Sequence, residues 1–255
     1  MKSQLITQNF DRHAYLIPSQ TPGMQVFRSP KLSYVDSGLS CYTFNIIHLL
    51  SGEEVAPEIR VAVDYFRRKD LAYCIWVNEE NLSPEVQACF QKMGIQIQNS
   101  EPGMVLDLNK YEVIDSPLHQ NVELVHTSAQ LAEFAESIAA NWSPPDQNVL
   151  RYCQQVAPAI LNPAHQVQLL LYREAGQVVS CLEMFPSDEH TLGFYSLATL
   201  EAYRGRGIAS AMLTFALNRA KISGYQQVIL QASEDGLRIY EKVGFRQIGL
   251  YYEYV

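Results

Sequence analysis

The segment Tyr203-Arg204-Gly205-Arg206-Gly207-Ile208-Ala209-Ser210 constrains this chain more than any other. The run Thr191–Leu200 before it reads as a strand. The apolar spacing after it predicts a helix from Gly207 to about Ser223, ended by Gly224 as a left-handed cap. Glycines at such a turn let the backbone approach a ligand closely and take conformations closed to other residues. The first helical turn offers N–H groups with no intrahelical partner and the positive end of the helix dipole. Together these make an anion site suited to a pyrophosphate, built from Gly205, Gly207, Ile208, Ala209 and Ser210. Arg204 and Arg206 add charge-assisted donors at its rim. Other phosphate motifs fit less well. A P-loop needs Gly-Lys-Ser/Thr at its end, and a dinucleotide turn needs a third glycine where Ser210 stands. Glycines that merely open a tight helix are the structural alternative, but packing alone gives no reason for two arginines at one turn.

The elements around the turn set the fold class. Val122–Val125 reads as a short strand. Ser128 is placed to cap a helix through Asn141, with Leu131, Phe134, Ala135 and Ile138 on one face. A helix from Asp146 to Ile160 follows, interrupted by Pro158. Gln166–Arg173, Gln177–Phe185 and Thr191–Leu200 read as three strands, the first two joined by the turn Glu174-Ala175-Gly176. Gln227–Gln231 is a strand, Glu234–Lys242 a helix stopped by Gly244, and Phe245–Tyr254 a final strand. Helices mixed with an antiparallel meander give an α+β fold with a largely antiparallel sheet, not a doubly wound one.

At 255 residues the chain suits two domains, and the polar, proline-containing stretch Asp115–Asn121 is a plausible linker between residues 1–115 and 121–255. In the first half Val55–Lys69 and Ser83–Met93 read as helices, and Tyr42–Leu49, Tyr73–Val77 and Gly103–Asp107 as strands. Phe90-Gln91-Lys92-Met93-Gly94-Ile95 matches Tyr240-Glu241-Lys242-Val243-Gly244-Phe245 as aromatic-x-Lys-apolar-Gly-apolar. Each copy follows a helix, a short strand and a second helix, which points to an internal duplication.

With 19 Lys plus Arg against 27 Asp plus Glu, the net charge is −8, which argues against a nucleic-acid partner. The five cysteines form no CxxC pair and sit among apolar neighbours, as small buried hydrophobes in a reducing compartment. The opening stretch from Met1 to Asn9 lacks an apolar leader, and no stretch is long enough to span a bilayer. A cytoplasmic protein is the expectation.

Arg204-x-x-Gly207-x-Ala209 resembles the Gln/Arg-x-x-Gly-x-Gly/Ala signature of the GNAT superfamily of N-acyltransferases. Leu237-Arg238-Ile239-Tyr240-Glu241-Lys242-Val243-Gly244-Phe245 resembles that family's Leu-Tyr-x-x-x-Gly-Phe segment. The resemblance is specific over Thr191–Phe245 and extends over the C-terminal half. It implies a GNAT fold, with acetyl-CoA as cosubstrate and its pyrophosphate on the turn. Its pantetheine would lie along the backbone of Leu197, Ala198 and Thr199, provided a neighbouring strand splays away. It also implies that Tyr240 protonates the departing thiolate. A phenol of pKa about 10 can do so for a thiol of pKa about 8.5 if the site tunes them together. Tyr240 as an inner-face packing residue is the alternative. The family often has Asn and Ala where this chain has Ser233 and Gly236, so the role of Ser233 in cofactor binding is less defined.

The incoming amine must be neutral to attack, which calls for a base. Glu183, within the strand Ser180–Phe185, is the candidate, against an outward-facing surface charge. Tyr195 and Ser196 are placed to hold a water, and Asn141-Trp142 to meet substrate. The histidines sit mostly at element ends and suggest no metal. In the first half, Ser51–Ala56 stands where the phosphate turn belongs, with one glycine, no arginine and two acids. Phe90 replaces the tyrosine. A degenerate GNAT-like first domain is therefore expected, as in bacterial two-domain acyltransferases. The implied reaction is acetyl transfer to a primary amine of a small molecule or peptide, by direct attack. A catalytically silent CoA-binding sensor or scaffold is the rival, and transfer from an aminoacyl-tRNA or acyl carrier a third reading. Acceptor and oligomeric state stay open.

Overall fold

The structure is a computed structural model and describes residues 3–255. Met1 and Lys2, which open the segment read as lacking a leader, lie outside the described residues. In chain order the first elements are α1 (Ser3–Leu16), β1 (Gln25–Arg28), β2 (Leu32–Asp36), β3 (Ile46–Leu49), α2 (Ala56–Arg68), β4 (Cys74–Asn78), α3 (Pro84–Met93) and β5 (Ile97–Asp107). Then come β6 (Val122–Leu124), α4 (Ser128–Ala139), α5 (Gln147–Ile160), β7 (Gln168–Glu174), β8 (Gln177–Pro186) and β9 (Thr191–Thr199). The chain ends with α6 (Ile208–Ile222), β10 (Gln227–Gln231), α7 (Leu237–Val243) and β11 (Arg246–Tyr254). The class is α+β with largely antiparallel strand pairing, as the element pattern predicts. Among the described residues no helix is long and apolar enough to cross a membrane.

Two compact units form: Met1–Gly103 with Ile248–Val255, and Met104–Gln247. The expected linker, Asp115–Asn121, lies inside the second unit, where Pro117–Asn121 forms a 3-10 turn and Leu118 packs on the core.

In the first unit β1, β2 and β3 form an antiparallel meander, and β4 runs parallel to β3. The chain's last strand lies antiparallel beside β4, with Glu253 opposite Trp76. The start of β5 lies beyond it, where Gln96 and Val255 exchange backbone hydrogen bonds of 2.8 and 2.9 Å. The spacing of Ile59, Ala62, Val63 and Phe66 gives α2 one apolar face, which buries against Leu32, Ile47, Leu49, Ile75 and Val77. Ser83 caps α3 by accepting the Val86 N–H at 3.3 Å, and Gly94 (φ 72°) ends it. Three elements escape the sequence reading: α1, β1 and β2. The helix has a signal, since Ile6, Phe10 and Ala14 recur every four residues and are buried. The strand expected over Tyr42–Leu49 starts only at Ile46, because Tyr42–Phe44 coil into a 3-10 turn.

In the second unit β6, β7, β8 and β9 are antiparallel, β10 is parallel to β9, and Met104–Asp107 of β5 lies beside β10. Apolar positions of α6 (Ile208, Met212, Leu213, Ala216, Leu217 and Ala220) pack on Leu182, Met184, Leu192, Phe194, Val228 and Leu230. The other sheet face meets α4, whose partner is α5. Thr127, not Ser128, caps α4: its hydroxyl accepts the Gln130 N–H at 3.2 Å while Gln130 reaches back to the Thr127 N–H. Pro158 does not break α5. It falls in the last turn, so the carbonyl it leaves unpaired belongs to exposed Gln154.

Candidate active site

The site begins with a ladder that stops. β9 and β10 pair over Thr191–Gln227, Leu192–Val228 and Gly193–Ile229, and no further, although both strands continue. Beyond Gly193 the β10-facing edge of β9 therefore presents backbone groups without ladder partners. A bulge follows. Between the pairs Cys181–Ala198 and Glu183–Tyr195, β9 advances three residues (195 to 198) while β8 advances two (181 to 183). Ser196 takes a left-handed conformation there (φ 55°), which for a non-glycine residue stores about 1 kcal/mol or more. Bulges bend the strand that carries them, which suits a strand leaving its neighbour. The sequence holds one trace of it. Leu192 and Phe194 face α6, and the next residue to do so is Leu197 instead of Ser196. The two-residue period slips by one.

β9 leads into the glycine turn. Gly205 (φ 74°) and Gly207 (φ 81°) are both left-handed, as expected of glycines placed there for their freedom. Gly207 caps α6 with no side-chain hydrogen bond, and the first intrahelical bond runs from the Ala211 N–H to the Gly207 carbonyl at 2.9 Å. None of the backbone N–H groups from Gly205 to Ser210 finds an acceptor among the described residues. The turn is exposed, and the nearest side-chain atom to a methyl built on Gly207 is Leu118 Cδ1, at 3.9 Å.

The arginines are anchored at this turn. Arg204 donates from Nε to the Thr199 carbonyl (3.0 Å) and from a terminal nitrogen to Asn141 Oδ1 (3.3 Å). Arg206 donates to the Ala202 carbonyl (3.1 Å), pairs with Glu174 (3.4 Å) and lies 4.8 Å over the Tyr203 ring. A guanidinium has five N–H donors, so each keeps some for a ligand. The partner Glu174 is a feature that the sequence reading missed.

Tyr240 sits on α7, buried to 9% exposure, in the same core cluster as Phe194, Ile208 and Leu230 and edge-on to Phe245 at 5.7 Å. The helix is shorter than expected, because residues 233–236 form a turn: Leu237 N–H donates to the Ser233 carbonyl (3.1 Å) and Gly236 N–H to Ser233 Oγ (3.3 Å). Gly236 has a steric reason. A methyl there would lie 2.8 Å from Tyr240 Cε2.

Glu183 is not an outward surface charge. At 7% exposure it is buried mid-strand on β8, between Leu169 of β7 and Tyr195 of β9. Since Leu182 and Met184 face α6, Glu183 and Cys181 face the α4 side. Tyr152 and Cys153 of α5 feel the Glu183 charge. Burial, reinforced by that charge, pushes Cys153 up to about 12 and the Tyr152 phenol upward. Burial likewise pushes Cys181 up to about 12. These cysteines are neutral thiols, not nucleophiles. All five cysteines are free and buried. Trp142 stands exposed near Asn141. Among the described residues no group of three or more His, Cys, Asp or Glu side chains is placed to hold a metal ion.

The first unit repeats the order of three strands, helix, strand, helix and strand, with β3 and β4 as its parallel pair. It lacks the slot. All four residues of β3 pair with β4, from Ile46–Cys74 to Leu49–Val77. The N-terminus of α2 is also taken: Glu85 accepts the N–H groups of Glu54 (3.1 Å) and Ala56 (3.2 Å). A carboxylate of the chain itself sits where an anion would bind.

Residues 165–247 match the family model of the acetyltransferase (GNAT) domain. Similar solved structures include a GCN5-related N-acetyltransferase from Kribbella flavida, at 16% identity and TM-score 0.70, covering 98% of this chain and 95% of that one. Another, from Sphaerobacter thermophilus, aligns at 14% identity and TM-score 0.58 over 89% of this chain and 80% of that one. A tandem GNAT protein from the clavulanic acid biosynthesis pathway aligns at 13% identity and TM-score 0.59 over 94% and 86%. At such identities the likeness is one of fold. No curated protein matches the chain in sequence. The domain match falls on the opened ladder, the glycine turn and Tyr240 alike, so residues 165–247 of this chain carry the acetyltransferase (GNAT) domain.

Proposed function

We propose that the protein is an acetyl-CoA-dependent N-acetyltransferase acting on a primary amine of a small molecule or peptide. The observation that carries this reading is the ladder that opens after Gly193 and runs into a turn with six consecutive unpaired N–H groups. A pantetheine arm with amides along its length matches free strand edges, and a diphosphate matches the turn. Acetyl-CoA, when bound, supplies an acyl group activated as a thioester.

The chain's residues divide the remaining work. Backbone N–H groups from Gly205 to Ser210, with Arg204 and Arg206, hold the diphosphate. The backbone of Leu197, Ala198 and Thr199 orients the arm and polarises the acyl carbonyl, and Ser233 supports the Tyr240 turn. Glu183, on the α4 side, takes a proton from the attacking nitrogen, directly or through a water held by Tyr195. Tyr240, on the α6 side, gives a proton to sulfur. One C–N bond forms and one C–S bond breaks, with the electron pair leaving on sulfur. Positioning and the polarised carbonyl supply most of the acceleration. The first unit serves as a silent GNAT-like copy, its strand pair zipped and its helix end filled by Glu85. The reading needs no metal, nucleic acid or membrane.

Calorimetry with CoA, and thiol release over a panel of amines, test it together. Binding with amine-dependent release, lost to about a hundredth or less in Tyr240→Phe, is the expected result. Binding without release on any amine would favour a silent sensor, and no binding would end the reading.

A further inference from the structure

Gln231 ends β10, two residues past the last pair with β9. Its Nε2 is buried and has no hydrogen-bond partner among the described residues. A buried amide donor without an acceptor costs the desolvation of the group and returns nothing. Such groups are rare in folded proteins and call for an explanation.

Its place gives one. Val228 and Leu230 face α6 within the core, so by strand alternation Ile229 and Gln231 face the opposite side. That is the side of Glu183. Counting two residues on from Gly193–Ile229 brings Gln231 level with Tyr195, which pairs with Glu183. By that count a carboxylate, a phenol and an unpaired amide donor fall on the same face of β8, β9 and β10, just past the point where the ladder opens. The apex of the opening is its end farthest from the glycine turn. An arm anchored by its diphosphate at Gly205–Ser210 and lying along Leu197–Thr199 points its thioester toward this apex.

We infer that the Gln231 side-chain amide donates to the acyl oxygen of the bound thioester, making Gln231 the residue that distinguishes acyl-CoA from free CoA. This rests on the acetyltransferase reading. The donor comes from the lip opposite the β9 backbone, so the acyl carbonyl is held from both strands. An acyl group is thereby fixed at its carbonyl and not by its chain.

The experiment is calorimetry of the full chain with acetyl-CoA and with CoA, alongside thermal melts, for wild type, Gln231→Met and Gln231→Glu. Met keeps the volume and removes the orphan donor. The expected result is a loss of acetyl-CoA affinity of about ten-fold in Gln231→Met, with CoA affinity unchanged and a melting temperature equal to or above wild type. Gln231→Glu, which puts an acceptor where the donor stood, loses at least as much acetyl-CoA affinity. If wild type binds both ligands and Gln231→Met keeps the same ratio of affinities, the assignment of Gln231 is overturned while the enzyme reading stands. If wild type binds neither, both fall. A merely structural role for Gln231 would lower the melting temperature and weaken both ligands equally, which also overturns it.

Discussion

Gly236→Ala asks whether the placement of the Tyr240 ring matters to the chemistry. The added methyl would lie 2.8 Å from Tyr240 Cε2, 3.5 Å from Cζ and 3.3 Å from Ser233 Oγ. Carbon atoms rest at about 3.5–4.0 Å, so the ring must retreat by roughly 0.7–1.2 Å. It has little room, being buried and flanked by Phe245. Overpacking of this kind costs about 1–3 kcal/mol. Gly236 is already helical (φ −83°, ψ −25°), so alanine recovers about 0.4–1 kcal/mol by restricting the unfolded chain. The net expectation is a loss of about 1–2 kcal/mol in urea unfolding. A displacement near 1 Å at a reacting group costs on the order of 100-fold in rate, so kcat falls by about 10- to 100-fold while KM for acetyl-CoA stays near wild type. In a Tyr240→Phe background the same substitution removes little further kcat, because the hydroxyl it would misplace is already gone. Steady-state thiol release on the four proteins of that cycle is the assay. Wild-type kcat in a variant destabilised as expected would refute the role of ring placement. A further rate loss as large in Tyr240→Phe would show that the glycine acts by another route.

Two further outcomes follow from the geometry. Gly207→Ala keeps enough space beside Leu118 but must hold a left-handed conformation, at about 1–2 kcal/mol. Stability falls by that amount and CoA affinity by about ten-fold as the N–H array shifts, and unchanged calorimetric affinity would count against the turn as the diphosphate site. In the first unit, burial and the nearby Glu253 carboxylate raise Glu101 from 4.5 to about 7. The folded state therefore holds this proton more tightly than the unfolded chain. The favourable contribution is full below about 4.5 and is lost as pH rises to about 7. Linkage sets its ceiling at about 3 kcal/mol, and partial solvation lowers the expectation to about 1–2 kcal/mol. Glu101→Gln should flatten this slope and exceed wild type in stability at pH 8, and parallel pH profiles in urea melts would refute it.

Much of the molecule can be read residue by residue, since the physics involved acts within one turn. Gly94, Gly205, Gly207, Gly224 and Gly244 all take the left-handed conformations that their positions suggested. Asp146 and Ser83 cap the helices that follow them, and β10 forms over the five residues expected. The glycine turn was legible for the same reason: glycine freedom, helix-end N–H groups and nearby arginines lie within eight residues of one another.

Partner choice was not legible. A strand's alternating pattern states which face is apolar but not which neighbour its backbone will pair with, because every peptide offers the same donor and acceptor. The sequence could not say that Ile248–Val255 would complete the first unit, or that Met104–Asp107 would belong to the second. The burial of Glu183 was equally hidden, since a charge within an apolar run reads the same at an edge as in the middle of a sheet. By itself the sequence determined the order of elements from β6 to β11 and the glycine turn that opens α6. Only the tertiary structure decided where the β9–β10 ladder stops, and with it which side chains border the slot, because the end of a ladder depends on two strands that are distant along the chain.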